Sequence, residues 1–164
     1  MPHSSLAIAN EFIERASKPG QRALTQMQVQ KLVYLAHGWH LGAFDAPLID
    51  EPIEAWKFGP VIRPLYSALS RYGSSPIDEL IRWGEDTILL DSDDDGVARE
   101  ELGDSDIAVI DMVWESYGTF PAFKLSALTH EPGTPWSQTY QEGYKRVIPN
   151  EVIKGHFKEL LAAS

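Results

Sequence analysis

The chain contains no cysteine, which excludes disulfides, thiolate nucleophiles and thiolate-held zinc or iron–sulfur centres. Cations are scarce as well: 14 Lys and Arg stand against 24 Asp and Glu, a formal net charge of −10. Neutralising a nucleic-acid backbone or an anionic membrane surface takes clustered Lys and Arg, so the composition speaks against both partners. Uninterrupted apolar stretches run only a few residues, against about 20 for a membrane-spanning helix. Met1 to Asn10 lacks the basic region and long apolar segment of a secretory signal. These absences predict a soluble, cytoplasmic protein. Short catalytic motifs are missing too. No glycine run resembles a phosphate-binding loop, and no serine sits in a nucleophile elbow. His130-Glu131 lacks the second His of a metalloprotease helix, which Pro132 would break in any case.

What is present is an ordinary globular composition over 164 residues, enough chain to bury one sizeable core. Internal repeats and linker-like stretches are lacking, so residues 1–164 are expected to form a single domain, a compact, mainly α fold with a small β element. Ser4 or Ser5 caps a first helix whose apolar positions are Leu6, Ala9, Phe12, Ile13 and Ala16. Thr25 followed by Gln28 is a capping-box pattern. It opens the strongest helix, about 25–43, with Gln28 or Val29, Leu32, Leu35, Ala36 and Trp39 on the core face and Tyr34, His37 and Leu41 flanking it. Residues 53–56 suit a short extended segment, punctuated by Gly59-Pro60, and a third helix follows over about 61–72. Residues 76–81 suit a helix and 87–90 a strand. A further helix opens at Asp104 or Ser105 with Ile107, Ile110, Val113 and Trp114 inward. Pro121 starts another, carrying Phe123, Leu125 and Leu128. Residues 149–162 close the fold with Val152, Ile153, Phe157, Leu160 and Leu161 as the apolar stripe.

Two clusters suggest metal chemistry and then fall short of it. Asp91-x-Asp93-x-Asp95-Gly96 matches the first half of a calcium loop, but the bidentate Glu due at 102 is Leu102, with Glu101 one place early. A solvated acidic surface loop over 91–103 is the simpler reading. His37 and His40 stand three apart on one helix, yet no third ligand follows at zinc spacing. Five tryptophans are spread along the chain, and helical spacing accounts for most of them as core residues.

The ordered set Gln30-Lys31-Leu32-Val33-Tyr34-Leu35-Ala36-His37-Gly38-Trp39, Pro47-Leu48, and Glu54-Ala55-Trp56-Lys57-Phe58-Gly59-Pro60-Val61 resembles the Panacea-domain antitoxin family, also called SocA-like or phage-associated proteins. Tyr66, Tyr72-Gly73, Val113-Trp114-Glu115-Ser116-Tyr117-Gly118, Leu125-Ser126-x-Leu128-Thr129-His130 and Pro135-Trp136 extend the likeness to about residues 5–160. The SocA branch is the part of the family it resembles most. His37 stands where many members carry Gln.

The resemblance implies an antitoxin that directly binds a cognate protein toxin encoded beside it. In the SocA branch it further implies a proteolytic adaptor that delivers the toxin to the ClpXP protease. Neither activity needs a catalytic residue or a cofactor, so the chain is expected not to be an enzyme. The competing expectations are neutralisation by sequestration alone, and a hydrolase or metal-dependent enzyme whose site assembles from distant residues. Most of the family pattern reads as scaffold: Lys31, Gly38, Trp39, Glu54, Gly59, Pro60, Trp114 and Trp136. A motif charge in apolar surroundings needs a partner. Lys31 is therefore expected to meet Glu54 or a backbone carbonyl, tying the long helix to the Glu-Ala-Trp segment. Tyr34, His37, Trp56, Lys57, Phe58 and Arg63 mix aromatics with cations around the motif, a composition typical of binding hot spots, and are the candidate toxin-binding residues. The acidic net charge favours a basic toxin and predicts salt-sensitive association. The terminal Leu161-Ala162-Ala163-Ser164 reads either as a protease tag or as a frayed helix end.

Overall fold

The computed structural model describes residues 1–84 and 95–164. In chain order its elements are α1 (Ser5–Ala16), α2 (Gln26–Phe44), β1 (Ile53–Trp56), β2 (Gly59–Val61), α3 (Arg63–Leu69) with a 3₁₀ turn at Ser70–Tyr72, α4 (Asp104–Tyr117), α5 (Ala122–His130), α6 (Pro135–Thr139), β3 (Arg146–Ile148) and α7 (Asn150–Ala163). The architecture is mainly α, with one small antiparallel sheet of strand order β2-β1-β3.

Everything is arranged around α2. Its capping box forms as the sequence predicts: the Thr25 amide donates to Gln28 Oε1 at 2.8 Å, and the Gln28 amide to Thr25 Oγ1 at 3.4 Å. Asp45, in the left-handed region at φ 58°, ends it. The expected one-sided stripe is too narrow. From Val29 to Gly42 every residue but Trp39 is buried, because α1, α3, α4, α5, α7 and β2 pack around the helix on all sides. A helix so enclosed is apolar all round, and the polar groups it carries must find partners inside. Gln30 does so by exchanging two hydrogen bonds with the backbone of Ile62.

The tightest of these contacts is with α7. Gly38 and Gly42 lie under Phe157, whose ring meets Tyr34 and Trp39 edge-on at 6.1 and 5.1 Å between centroids. A β-carbon at Gly38 would stand 2.1 Å from Phe157 Cε2. Glycine at this position is what lets the helices touch.

Several margins differ from the periodicity reading. Ile107, Leu160 and Leu161 are exposed, and Phe123 is 77% exposed. The inward faces are Val109, Ile110 and Val113 on α4, Leu125 on α5, and Ile153 with Phe157 on α7. Gly103, not Asp104 or Ser105, precedes α4, and its amide donates to the Asp106 carboxylate at 2.9 Å. None of the five tryptophans is fully buried. Gly59-Pro60, read as punctuation, instead begins strand β2. β2 is an edge strand, where a proline costs no ladder bond.

Residues 76–81 form no helix. Ile77 and Ile81 are nonetheless buried, held by backbone bonds from the Ile77 amide to Leu24 O and from the Ala98 amide to Ile81 O. The expected strand at 87–90 and the first half of the calcium-like pattern, Asp91 to Asp94, lie outside the described residues. Asn10, 1% exposed on α1, clamps the two flanking segments: its amide donates to Ile81 O and Ala98 O, and its carbonyl accepts from the Ile81 amide. Asn10→Ala strands two buried backbone groups, the Ile81 amide and the Ala98 carbonyl, while Ile81 O keeps the Ala98 amide; each stranded group is worth about 1–3 kcal/mol when unsatisfied. It is expected to cost about 2–4 kcal/mol after relaxation, with fast amide exchange at Ile81 and Ala98. Wild-type exchange at both positions would mean that Asn10 is no clamp.

Candidate functional site

The β1–β2 hairpin turns on two residues, Lys57 and Phe58, between paired Trp56 and Gly59. Gly59 sits at φ 121°, a conformation that L side chains rarely adopt, and a β-carbon there would lie 2.8 Å from Lys31 Nζ. The glycine therefore serves twice, turning the chain and letting the hairpin close over the lysine of α2.

An open groove of about 750 Å³ runs between this hairpin, the start of α2, Tyr66 of α3 and the segment that leads into β3. Its surface is mostly apolar and includes five aromatic residues, Trp56, Phe58, Tyr66, Tyr140 and Tyr144. Phe58 is 64% and Tyr144 57% exposed, and Tyr66 and Met27 are exposed beside them. Trp56 forms one wall, with the Tyr66 ring 4.9 Å away and Lys145 Nζ 4.1 Å from its centroid. Lys57 leans over Phe58 at 5.6 Å. From behind, Trp136 Nε1 donates to Trp56 O at 2.6 Å, Tyr140 stacks on Trp136 at 4.7 Å, and Ser126 Oγ donates to Phe58 O at 3.3 Å. α5 and α6 thus hold the hairpin in place.

Lys31 does not meet Glu54. Its ammonium donates to the Pro60 carbonyl at 3.2 Å, on the strand next to the Glu-Ala-Trp segment. Among the described residues this is its one hydrogen bond, and no carboxylate pairs with it. Burial pushes its pKa down to about 8. Glu54 instead takes the Arg63 guanidinium through two bonds, of 3.0 and 2.7 Å. Arg63 holds the Glu54 carboxyl below its ordinary range, against the upward push of burial, and the Trp56 indole N–H adds to the effect. Arg63 also lies over the Trp56 ring at 5.4 Å.

Four of the six candidate contact residues come together here: Trp56, Lys57 and Phe58 line the groove, and Arg63 braces Trp56. Tyr34 and His37 do not join them. They are 2% and 1% exposed, enclosed by the helices around α2, and present nothing to a partner. The motif residues divide in the same way. Lys31, Glu54, Gly59, Pro60 and Trp136 build the groove's floor and support, Gly38 and Trp39 the α7 contact, and Trp114 packs on the core from α4. Tyr66, Tyr144 and Lys145 were not among the candidates. The signal available for the last two was local, an aromatic followed by Lys145 and Arg146 in an acidic chain.

The histidines of α2 are occupied in the fold. His37 Nδ1 accepts from the amides of Leu48 and Ile49, and its Nε2 donates to Asn150 Oδ1 at 3.0 Å. His40 Nδ1 lies 2.6 Å from Ala46 O, and its Nε2 lies 3.0 Å from Asp106. The other Asp106 oxygen pairs with His3 at 2.8 Å, and His3 reaches Glu100 at 3.1 Å. Burial alone would lower the His3 pKa, but its bonds to Asp106 and Glu100 raise it above the ordinary value. Among the described residues no group of three or more His, Asp or Glu is placed to hold a metal ion, and no helix is long and apolar enough to cross a membrane.

A family model described as "Antitoxin SocA-like, Panacea domain" matches residues 29–137. That span takes in the hairpin, Lys31 and Trp136, and stops short of Tyr144, Lys145 and α7. The curated protein Antitoxin SocA of Caulobacter vibrioides (strain NA1000 / CB15N) is 30% identical over 135 residues. The match covers 79% of this chain and 66% of that relative, so the chain spans just under two thirds of the relative's length. No solved structure matches.

Proposed function

The chain belongs to the SocA-like antitoxin family defined by the Panacea domain, and from that premise we propose that it neutralises a cognate protein toxin by binding it directly, with the aromatic groove as the contact face. The observation that carries this reading is the preformed concavity itself. Exposed Phe58, Tyr66 and Tyr144 surround Trp56, and α5 and α6 anchor the hairpin that carries Trp56 and Phe58 through bonds to the backbone carbonyls of those two residues. Aromatic anchors with neighbouring cations are the usual composition of energetic hot spots. Holding a partner requires no bond-breaking chemistry.

The finer reading we propose is an adaptor: the groove holds the toxin while another face meets the ClpXP protease. Tethering raises the effective concentration of toxin at the protease without chemistry by the tether. Exposed Leu160 and Leu161 on α7, outside the groove's lining, offer such a second face. Toxin half-life with and without the protease separates this reading from sequestration alone.

Phe58→Ala and Tyr144→Ala are each expected to weaken toxin binding by about tenfold or more, while exposed positions leave stability within about 0.5 kcal/mol. The measurement is calorimetry against the product of the neighbouring gene, with melting temperature as the control. Wild-type affinity in the double variant would sink the groove as contact face. Salt is expected to slow association, because the charge of −10 acts at long range.

A further inference from the structure

The groove's charge opposes that of the chain. In a protein of net charge −10, its charged liners are Lys31, Lys57 and Lys145 against Glu142. Lys57 and Lys145 lie over aromatic rings at the mouth. Lys31 lies beneath them, 2% exposed, with only the Pro60 carbonyl for its three N–H groups among the described residues. A buried ammonium with one neutral acceptor is an incomplete site, because such a charge is normally paired. A methionine in its place would pack the same stem without the desolvation cost.

We propose that Lys31 is an anion receptor at the floor of the groove, and that the groove takes an acidic, apolar segment of the partner polypeptide, with an Asp or Glu side chain reaching Lys31 and aromatic or aliphatic neighbours packed on Trp56 and Phe58. This deepens the proposed function and rests on it for the identity of the partner. Three cations spaced from floor to mouth suit carboxylates carried on side chains along a segment, since a single chain end supplies one. The charge relation also divides the labour. The acidic surface at large steers a basic partner, and the groove selects a locally acidic stretch of it.

The test uses blocked tripeptides, N-acetylated and C-amidated, with Glu or Gln between Trp and Leu, titrated into the full chain and followed by the tryptophan indole signals in NMR. The Glu peptide is expected to bind at least tenfold more tightly than the Gln peptide. Lys31→Met is expected to abolish that preference without lowering the melting temperature. A lysine with a merely structural role would lower the melting temperature and leave the preference intact. Equal binding of the two blocked peptides overturns the proposal. So does tight binding of a Gln peptide only when its C-terminus is free, which would make the site a chain-end pocket. Because the wild-type comparison needs no variant, it decides between these outcomes even where Lys31→Met folds poorly. If the Glu preference holds while toxin binding ignores Phe58 and Tyr144, the proposed function fails and the anion site stands.

Discussion

Gly38→Ala is expected to lower the melting temperature by about 4–8 °C, and the sign of that effect is expected to depend on residue 157. In a helix interior alanine is favoured over glycine by about 1 kcal/mol. Here the added methyl would lie 2.1 to 2.6 Å from three ring atoms of Phe157, which is itself enclosed by Tyr34 and Trp39. Overpacking of this kind costs about 1–3 kcal/mol and occasionally more, and each kcal/mol is about 2–4 °C in a domain of this size. In a Phe157→Leu background the two closest of these atoms, Cε2 and Cζ, are gone. Gly38→Ala should then become neutral or stabilising, although Phe157→Leu is itself destabilising through lost contacts. Gly42 is the internal control. Its added methyl meets Phe157 Cβ at 2.9 Å and the Phe157 backbone at 3.1 Å, atoms that leucine retains, so Gly42→Ala should stay destabilising in both backgrounds. Thermal unfolding of the two cycles decides it. A Gly38→Ala penalty unchanged by leucine at 157 would mean that the helices do not meet as described.

The second large effect is on acid stability. Burial pushes the pKa of His37 down to about 4; its bond to Asn150 raises it and nearby His40 lowers it further. Protonating Nδ1 would also set a proton against the amides of Leu48 and Ile49. As pH falls below the ordinary value near 6.5, the unfolded chain takes up a proton that folded His37 refuses. Stability is therefore lost between about pH 6.5 and 4, to a total of about 3 kcal/mol. His3 works the other way. Its folded pKa is raised, so the stability it lends is full below about 6.5 and is lost as pH rises through the higher value. Glutamine at 37 can accept from the same amides and donate to Asn150 without titrating. His37→Gln is thus expected to match wild type within about 1 kcal/mol at pH 7 and to exceed it by about 2–3 kcal/mol at pH 4.5, since the His3 contribution cancels in the comparison. Urea midpoints at the two pH values give the answer, and parallel shifts in both proteins would exclude His37 as the source.

Local signals carried much of the fold. The Thr25–Gln28 box, Ser4 at the start of α1 and Gly73 after the 3₁₀ turn are set by groups within a few residues of each other, so they are legible in the sequence. β3 was not, because three residues with only Ile148 buried have no periodicity to read; their pairing partner, β1, is about ninety residues away. The groove was legible in part. The aromatic and cationic cluster at 56–63 stands close together in sequence, whereas Tyr144 and Lys145 reach it only through the β1–β3 pairing. Tyr34 and His37 were misplaced because helical spacing says which residues share a face, and α2 is covered on every face. Lys31 offers the same lesson in reverse. Its need for a partner was readable, but the carbonyl that meets it is fixed by the hairpin's register.

The closing of α7 onto α2 has a consequence during synthesis. Asn150, which bonds His37, follows it by 113 residues. At ribosomal speeds of about 5–20 residues per second, the Gly38–Gly42 face of a nascent α2 waits about 6–23 s for its cover. Throughout that interval the growing polypeptide presents a bare apolar surface to chaperones and degradative enzymes.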